Sequence, residues 1–242
     1  MRFPDTPLVL LHAFPLDHRM WAGVGIPEHV ELITPDQRGF GDAPIGADEP
    51  DLARVAADVI ARLDGRPALV GGCSMGSYVA MAVLRAAPEL VAGLVLVSSR
   101  ATADTEAARA NREAMASRIE AEGSDFVADA MLPALLGAET HERRPDVVET
   151  VRTLVSEQDG AAIAWAQRAM GARPDSSELL RATDVPTLIV RGEQDALIPV
   201  EEADALAALM PKAEAVVLAG AGHLPPVEAP EEFAGTLARW LE

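Results

Sequence analysis

Short apolar runs alternate along this chain with segments of helical periodicity, and this alternation is the feature that most restricts the fold. Six runs have the length and composition of buried strands, at residues 7–11, 30–34, 67–71, 91–97, 185–190 and 215–219. Apolar residues at three- and four-residue spacing predict helices at residues 51–63, 75–87, 200–210 and 228–241. Strands that are apolar on both faces and separated by helices are typical of a parallel sheet covered on both sides, so we predict an α/β fold.

Residues 101–181 interrupt this alternation. They contain no strand pattern, and Gly and Pro residues divide them into helical patterns at 105–122, 125–136, 146–157 and 161–172. An all-helical insertion between two parallel strands is expected over the carboxyl edge of the sheet, where such sheets place their sites. We therefore predict a core domain formed by residues 1–100 and 182–242, and an inserted helical cap subdomain formed by residues 101–181.

Composition limits the classes of function. The formal net charge is −18 and the sequence pI is about 4.6, so we expect the chain to repel nucleic acid and anionic membranes. Cys73 is the single cysteine, which excludes an intrachain disulfide. The sequence shows neither a signal-peptide pattern nor a run of about 18 apolar residues, so we expect a soluble cytoplasmic protein. We expect no cofactor and no metal, because no phosphate loop, dinucleotide fingerprint or ligand spacing is recognisable.

A serine stands in a tight turn between a predicted strand and a predicted helix. Residues 72–76 read Gly-Cys-Ser-Met-Gly, which is the G-x-S-x-G pattern of a nucleophile elbow. Small residues permit the sharp turn, and the helix N-terminus then points at the serine hydroxyl, so we predict Ser74 as a nucleophile. A frame centred on Cys73 would need Gly where Met75 stands, so we interpret Cys73 as a small buried spacer.

The serine needs a base and an acid. His223 ends the sequence Gly-Ala-Gly-His just past the last strand, where two glycines let the loop turn back over the sheet. Asp195 follows the fifth strand and gives the chain order Ser, Asp, His of elbow-type hydrolases; Glu193 ranks below it because it lies too close to the strand. His12 ends the first strand, near the site. The remaining histidines lie in polar surroundings and are expected at the surface: His18, His29 and His141.

Backbone and cap groups complete the predicted site. We expect the N–H groups of Met75, at the helix start, and Phe14, in the loop after the first strand, to form an oxyanion hole. The predicted substrate pocket adds three side chains: Met131, Trp165 and Leu224. The cap also carries several arginines, of which one turned inward would bind a substrate carboxylate: Arg109, Arg112, Arg143, Arg144 and Arg168.

Five motifs in order resemble the α/β-hydrolase superfamily, in the branch of small carboxylesterases, enol-lactonases and cofactor-free perhydrolases. They are His-Ala-Phe-Pro at 12–15, Asp-Gln-Arg-Gly-Phe-Gly at 36–41, the serine elbow, Gly-x-x-Asp at 192–195 and Gly-x-Gly-His at 220–223. The resemblance implies the α/β-hydrolase fold, the triad of Ser74, Asp195 and His223, the oxyanion donors Phe14 and Met75, and a structural role for Arg38. Relatives open with a two-stranded hairpin, but only about six residues precede the first strand here. We therefore predict that this hairpin is missing and that a mostly parallel sheet has about six strands.

The leading hypothesis is hydrolysis of a small carboxylic ester or lactone through an acyl-enzyme. The same triad would serve perhydrolysis or the hydrolysis of a carbon–carbon bond, and the residues do not separate these reactions. A non-catalytic ligand-binding member of the fold is less favoured, because a pure binder does not need Asp195 or His223. The expected partner is a small-molecule ester or lactone, and the chain is expected to be a monomer or a homodimer.

Overall fold

One six-stranded sheet organises the molecule. The computed structural model describes residues 3–242, and its strands are β1 (Leu8–Leu11), β2 (Leu32–Ile33), β3 (Ala68–Cys73), β4 (Val91–Val97), β5 (Thr187–Gly192) and β6 (Glu214–Leu218). Their order in the sheet is β2-β1-β3-β4-β5-β6, and each neighbouring pair is parallel. The predicted mostly parallel sheet of about six strands is confirmed, and within the described residues no strand precedes β1.

Helices follow the strands and cover the sheet. They are α1 (Leu52–Leu63), α2 (Met75–Ala86), α3 (Glu106–Glu122), α4 (Val127–Leu135), α5 (Ala138–Arg143), α6 (Pro145–Ser156), α7 (Gly160–Ala172), α8 (Ser177–Arg181), α9 (Val200–Leu209), α10 (Pro225–Glu228) and α11 (Pro230–Leu241). Helix α1 begins one residue later than expected, because Asp51 is its N-cap and its side chain accepts the Ala53 N–H. Helix α2 ends before Pro88, as expected from the missing N–H of proline.

The central strands form the core. β1 and β3 are buried along their whole length, and α2 packs against β1, β3 and β4 with nine of its twelve residues buried. β6 lies at the edge of the sheet, and most of its residues are exposed or half-buried. Because parallel strands share one carboxyl edge, the loops that follow β1, β3, β5 and β6 all emerge at the same side of the molecule.

Residues between β4 and β5 form the helices α3 to α8 and, within this described stretch, no strand. Helices α3, α4, α6 and α7 agree with the four predicted helices to within two residues at each end. Helices α5 and α8 were not predicted, because each is shorter than two turns and gives little periodicity. Helices α3 and α7 pack against each other along their lengths. The division into a core and a cap at residues 101 and 181 stays a prediction.

None of the helices in residues 3–242 has both the length and the apolar composition needed to cross a lipid bilayer.

Candidate active site

Ser74 lies in a strained turn between β3 and α2. Its φ is 52° and its ψ is −111°, a backbone conformation that costs a non-glycine residue on the order of 1–3 kcal/mol. The Ser74 N–H donates to the Val97 carbonyl at 2.8 Å, which fixes the turn to the end of the neighbouring strand. Strain of this kind at a residue that the sheet and a helix hold on both sides is typical of a functional position.

The glycines of the elbow are required by close packing. A Cβ built on either Gly72 or Gly76 would collide with the carbonyl oxygen of Leu11 in β1. Ser77 reinforces the same turn, since its hydroxyl donates to the Gly72 carbonyl at 2.7 Å and accepts the Val97 N–H at 3.0 Å. The sequence analysis did not single out Ser77; a buried hydroxyl on an otherwise apolar helix was the available signal.

His223 and Asp195 form a buried pair. The His223 Nδ1 lies 2.9 Å from both carboxylate oxygens of Asp195, and both side chains are only 2% exposed. The Asp195 Oδ1 also accepts the N–H groups of Leu197 at 2.9 Å and Ile198 at 3.0 Å. Because the carboxylate accepts from Nδ1–H, the Nε2 of His223 is left as the basic nitrogen.

Burial and hydrogen bonding act on Asp195 in opposite directions. Burial alone would raise its pKa, but the hydrogen bond and charge of His223, together with the two loop N–H groups, outweigh it and hold the pKa below the usual range. The carboxylate therefore stays ionised at neutral pH, which is the state that stabilises an imidazolium on His223.

The loop that carries His223 is clamped between the sheet and the inserted helices. A Cβ at Gly192 would meet the carbonyl oxygens of Ala221 and Gly222, and a Cβ at Gly222 would meet the backbone of Gly137. Because the backbone segments lie so close together, only glycine fits at positions 192 and 222.

A buried carboxylate ties the same loop to the inserted helices. Glu228 accepts the Gly137 N–H at 2.7 Å, the Thr140 hydroxyl at 2.7 Å and the Leu224 N–H at 3.0 Å. Glu228 is a positioning residue that the sequence analysis missed, because its partners lie in an unrelated segment.

Ser74 and His223 line one cavity of about 120 Å³. Its lining is Phe14, Ser74, Tyr78, Arg100, Arg112, Met131, Gln167, Met170, Leu197, Ile198 and His223. The cavity therefore brings together the serine, the histidine, the Phe14 loop and part of the inserted helices. It lies at the carboxyl edge of the sheet, where the fold predicts a site.

Two backbone N–H groups beside the serine have no acceptor in the described part of the chain. They belong to Met75, the first residue of α2, and to Phe14. The preceding N–H in the same loop, that of Ala13, donates to the Met20 sulfur at 3.1 Å, so it is engaged elsewhere. An oxyanion hole requires two free N–H donors beside the reacting serine, and the assignment of Phe14 and Met75 to this role stays a prediction.

The alternative nucleophile and acid have other roles. Cys73 is fully buried, its thiol donates to the His223 carbonyl at 3.5 Å, and burial, followed by the charges of Asp195 and Glu228, raises its pKa well above the usual range. It therefore stays a thiol at neutral pH. Glu193 accepts the Gly220 N–H at 3.0 Å, which makes it a cap for the histidine loop.

His12 is a buried link between two loops. Its Nε2 accepts the Gln37 N–H at 2.9 Å, so its Nδ1 carries the proton and donates to the Ala13 carbonyl at 3.0 Å. Burial lowers its pKa to about 4, which keeps it neutral. The other three histidines expected at the surface are indeed exposed: His18, His29 and His141.

The predicted pocket residues are placed differently from one another. Met131 lines the cavity with Ser74, whereas Trp165 and Leu224 do not. The Trp165 indole N–H donates instead to the Asp48 carbonyl at 3.0 Å, at the contact between α7 and the core. Leu224 is fully buried under the histidine loop.

Among the five cap arginines, Arg112 lines the cavity. Three of the others pair with exposed acids on their own helices or neighbouring ones: Arg143 with Glu139, Arg144 with Asp146, and Arg168 with Glu113 and Glu120. Arg109 is exposed. Arg100, which the sequence analysis did not consider, also lines the cavity.

One group of side chains has the spacing of metal ligands. Oxygen or nitrogen atoms of Asp17, His18 and Asp36 lie within 4.8 Å of one another. These atoms are engaged by the protein itself: Asp17 pairs with Arg19 at 2.6 Å, and Asp36 accepts both the backbone N–H and the ring of His18. We interpret the group as a link between the loops after β1 and β2.

Comparisons with known proteins agree with this architecture. The Alpha/beta hydrolase family model matches residues 8–236. A thermophilic esterase from Thermogutta terrifontis, with malate bound, superposes with a TM-score of 0.95 at 36% identity over 99% of this chain and 90% of that chain. The pimeloyl-[acyl-carrier protein] methyl ester esterase of Yersinia pseudotuberculosis is 28% identical over 98% of this chain and 94% of its own. The enol-lactonase of Burkholderia xenovorans LB400 shares the fold, with a TM-score of 0.88 at 24% identity over 98% of this chain and 92% of that chain.

Proposed function

Since this chain belongs to the alpha/beta hydrolase family, we propose that it hydrolyses a small carboxylic ester or lactone with Ser74 as the nucleophile. The observation that carries the proposal is the buried pair of His223 and Asp195 at the cavity that Ser74 lines. The similar proteins with 28% and 36% identity are named as esterases, which supports the same chemistry.

The proposed reaction has two halves. The Ser74 hydroxyl attacks the ester carbonyl carbon while the Nε2 of His223 takes its proton, and Asp195 stabilises the imidazolium. The N–H groups of Phe14 and Met75 receive the negative charge on the carbonyl oxygen. The intermediate collapses, the alcohol leaves with the proton from His223, and Ser74 keeps the acyl group. A water molecule, deprotonated by His223, then releases the acid and restores the serine.

The cavity limits the size of the substrate. A volume of about 120 Å³ equals the space of roughly four water molecules in the liquid, which is well below the pocket of a drug-sized ligand. We propose that residues 101–181 act as the cap that closes this space, with Met131 and Gln167 against the acyl group. A short acyl chain fits these walls better than a long one.

The test is hydrolysis of p-nitrophenyl esters from acetate to decanoate. We expect activity that is highest at a short chain, and a loss on the order of 10⁴-fold in kcat in Ser74→Ala. Ser117→Ala, an exposed serine on α3, is the matched control and should keep full activity. A fluorophosphonate probe should label the wild type and not Ser74→Ala.

Other outcomes of this test would favour other functions. A folded wild type that neither hydrolyses these esters nor reacts with the probe would favour a ligand-binding protein. Peroxide-dependent halogenation with acetate would favour perhydrolysis, and cleavage of a β-diketone would favour carbon–carbon bond hydrolysis.

A further inference from the structure

Arg100 is a cation at the catalytic cavity that has no acidic partner in the described part of the chain. It follows β4 directly, is half-buried, and lines the cavity that contains Ser74 and His223. Its Nε is buried and has no hydrogen-bond acceptor. Tyr78 lies beside its guanidinium, and no carboxylate oxygen within residues 3–242 lies within ion-pair distance of it. A buried guanidinium nitrogen without an acceptor needs an explanation, because most such atoms are satisfied.

The surroundings of Arg100 do not neutralise it. Asp104 is almost completely buried, and it already pairs with Arg112 at 2.5 Å and with Arg173 at 2.8 Å. The other acid whose charge acts on Arg100 is Glu202, which accepts the Thr102 hydroxyl at 3.1 Å and forms no ion pair with Arg100. Two guanidinium groups, those of Arg100 and Arg112, therefore line this cavity, and Asp104, the buried carboxylate next to them, is shared between Arg112 and Arg173.

This local excess of positive charge stands against the charge of the whole chain, which is −18. Three of the surface arginines described above, Arg143, Arg144 and Arg168, pair with acids that lie within reach, as expected for a chain so rich in carboxylates, and Arg109 is open to solvent. An arginine that remains without an acid in such a protein, at the wall of the catalytic cavity, is placed to receive a negative group from outside the chain. A guanidinium fork matches the two oxygens of a carboxylate.

We propose that Arg100, with Arg112 beside it, binds a carboxylate group of the substrate, so that the preferred substrate is a small ester or lactone that also carries a free carboxylate. This inference rests on the proposed function, because it assigns the second end of the molecule that Ser74 attacks. The size of the cavity favours a short spacer between the ester and the carboxylate, as in a monoester of a four-carbon dicarboxylic acid.

The competing explanation is that Arg100 only supports its neighbours. Tyr78 lies between Arg100 and Arg173, and the Arg173 guanidinium stacks on the Tyr78 ring at 4.1 Å. Arg173 itself donates to the carbonyls of Met170 and Thr102. A purely structural role would make the loss of Arg100 affect charged and neutral substrates alike, and this difference makes the two explanations separable.

The experiment compares two methyl esters of the same length, monomethyl succinate and methyl levulinate, in which a ketone replaces the carboxylate. Hydrolysis is followed by titration of the released acid at constant pH. We expect the wild type to prefer monomethyl succinate by at least about tenfold in kcat/KM, because a charged hydrogen bond adds binding that the ketone cannot supply. Arg100→Gln should lower kcat/KM for monomethyl succinate on the order of 10- to 100-fold, mainly through KM, and change methyl levulinate less than about threefold.

Two further variants serve as controls. Arg100→Lys keeps the charge and should retain part of the preference. Arg109→Gln removes the same charge from the exposed side of α3 and should leave both esters unchanged. Calorimetric titration with succinate supplies a readout that does not need hydrolysis; we expect binding to the wild type and to Ser74→Ala, and its loss in Arg100→Gln.

Several results would overturn the inference. It is wrong if Arg100→Gln lowers both esters equally, or if the variant binds succinate as well as the wild type does. It is also wrong if the wild type neither prefers monomethyl succinate nor binds succinate. Hydrolysis of methyl levulinate that depends on Ser74 would uphold the proposed function in each of these cases. If neither ester is hydrolysed, the proposed function fails, and succinate binding alone decides the role of Arg100.

Discussion

Lowering the pH from 7.5 to 5 should destabilise this protein through His12, before its carboxylates titrate. His12 is fully buried, and both ring nitrogens are engaged by backbone groups of the loops after β1 and β2. Its pKa falls from about 6.5 in an unfolded chain to about 4 in the folded protein. Between these two values the unfolded chain binds a proton that the folded protein does not, so the free energy of unfolding decreases as the pH falls.

The size of the effect follows from the shift. One unit of pKa corresponds to about 1.4 kcal/mol, so the shift of His12 accounts for about 3.5 kcal/mol in full and about 2 kcal/mol by pH 5. Below about pH 4 the histidine is protonated in both states and adds no further slope. The carboxylates with lowered pKa values, such as Asp195, act in a separate window, since they destabilise only as the pH falls through and below about 4.

Urea unfolding followed by tryptophan fluorescence at pH 7.5, 6.5, 5.5 and 5 measures this slope. The range stops at pH 5 because the sequence pI is about 4.6, where the protein carries little net charge. His12→Gln lacks the titrating ring, so we expect a less stable protein whose unfolding free energy changes by about 2 kcal/mol less between pH 7.5 and 5. Equal slopes for the wild type and His12→Gln would refute the assignment of His12 as a buried neutral base.

Two substitutions test the support of the proposed triad. Asp195→Asn should lower kcat for a short ester on the order of 10³- to 10⁴-fold with the fold intact by circular dichroism, because an amide no longer selects the Nδ1–H form of His223; a loss under tenfold would contradict this role. Glu228→Gln should lower the free energy of unfolding by about 2–3 kcal/mol, because the amide nitrogen would face a hydrogen-bond donor of Gly137, Thr140 or Leu224. An unchanged urea midpoint would show that these hydrogen bonds of Glu228 do not stabilise the fold.

The sheet and the sequence of site motifs were predictable because their signals are local. A parallel strand buried on both faces is a continuous apolar run, and the elbow around Ser74 needs its glycines within five consecutive residues. The placement of cap side chains was not predictable in the same way. Helical periodicity says which residues share a face of α7, but not which neighbour that face meets, so Trp165 was assigned to the pocket although it contacts Asp48.

The residues that the sequence analysis missed have partners far along the chain. Glu228 binds groups that lie about ninety residues before it, and Arg100 is defined by the absence of an acid within reach in the folded protein. Neither property leaves a trace in spacing or composition. Arg112 was predictable in part. The sequence identified it as one of five cap arginines that could face the substrate, and only the packing of α3 against α7 shows that it lines the cavity.

The position of β6 at the edge of the sheet predicts that the site around Ser74 forms late in folding. The Cys73 thiol, next to Ser74, touches the carbonyl of His223, which is 150 residues away along the chain, and His223 follows a strand that pairs with β5 alone. Contacts of such long range form late, because the entropy of closing large loops must be overcome first. During refolding, recovered far-UV circular dichroism, which reports the helices, should therefore precede recovered hydrolysis, and the interval between the two signals measures how long β6 and the loop after it take to dock.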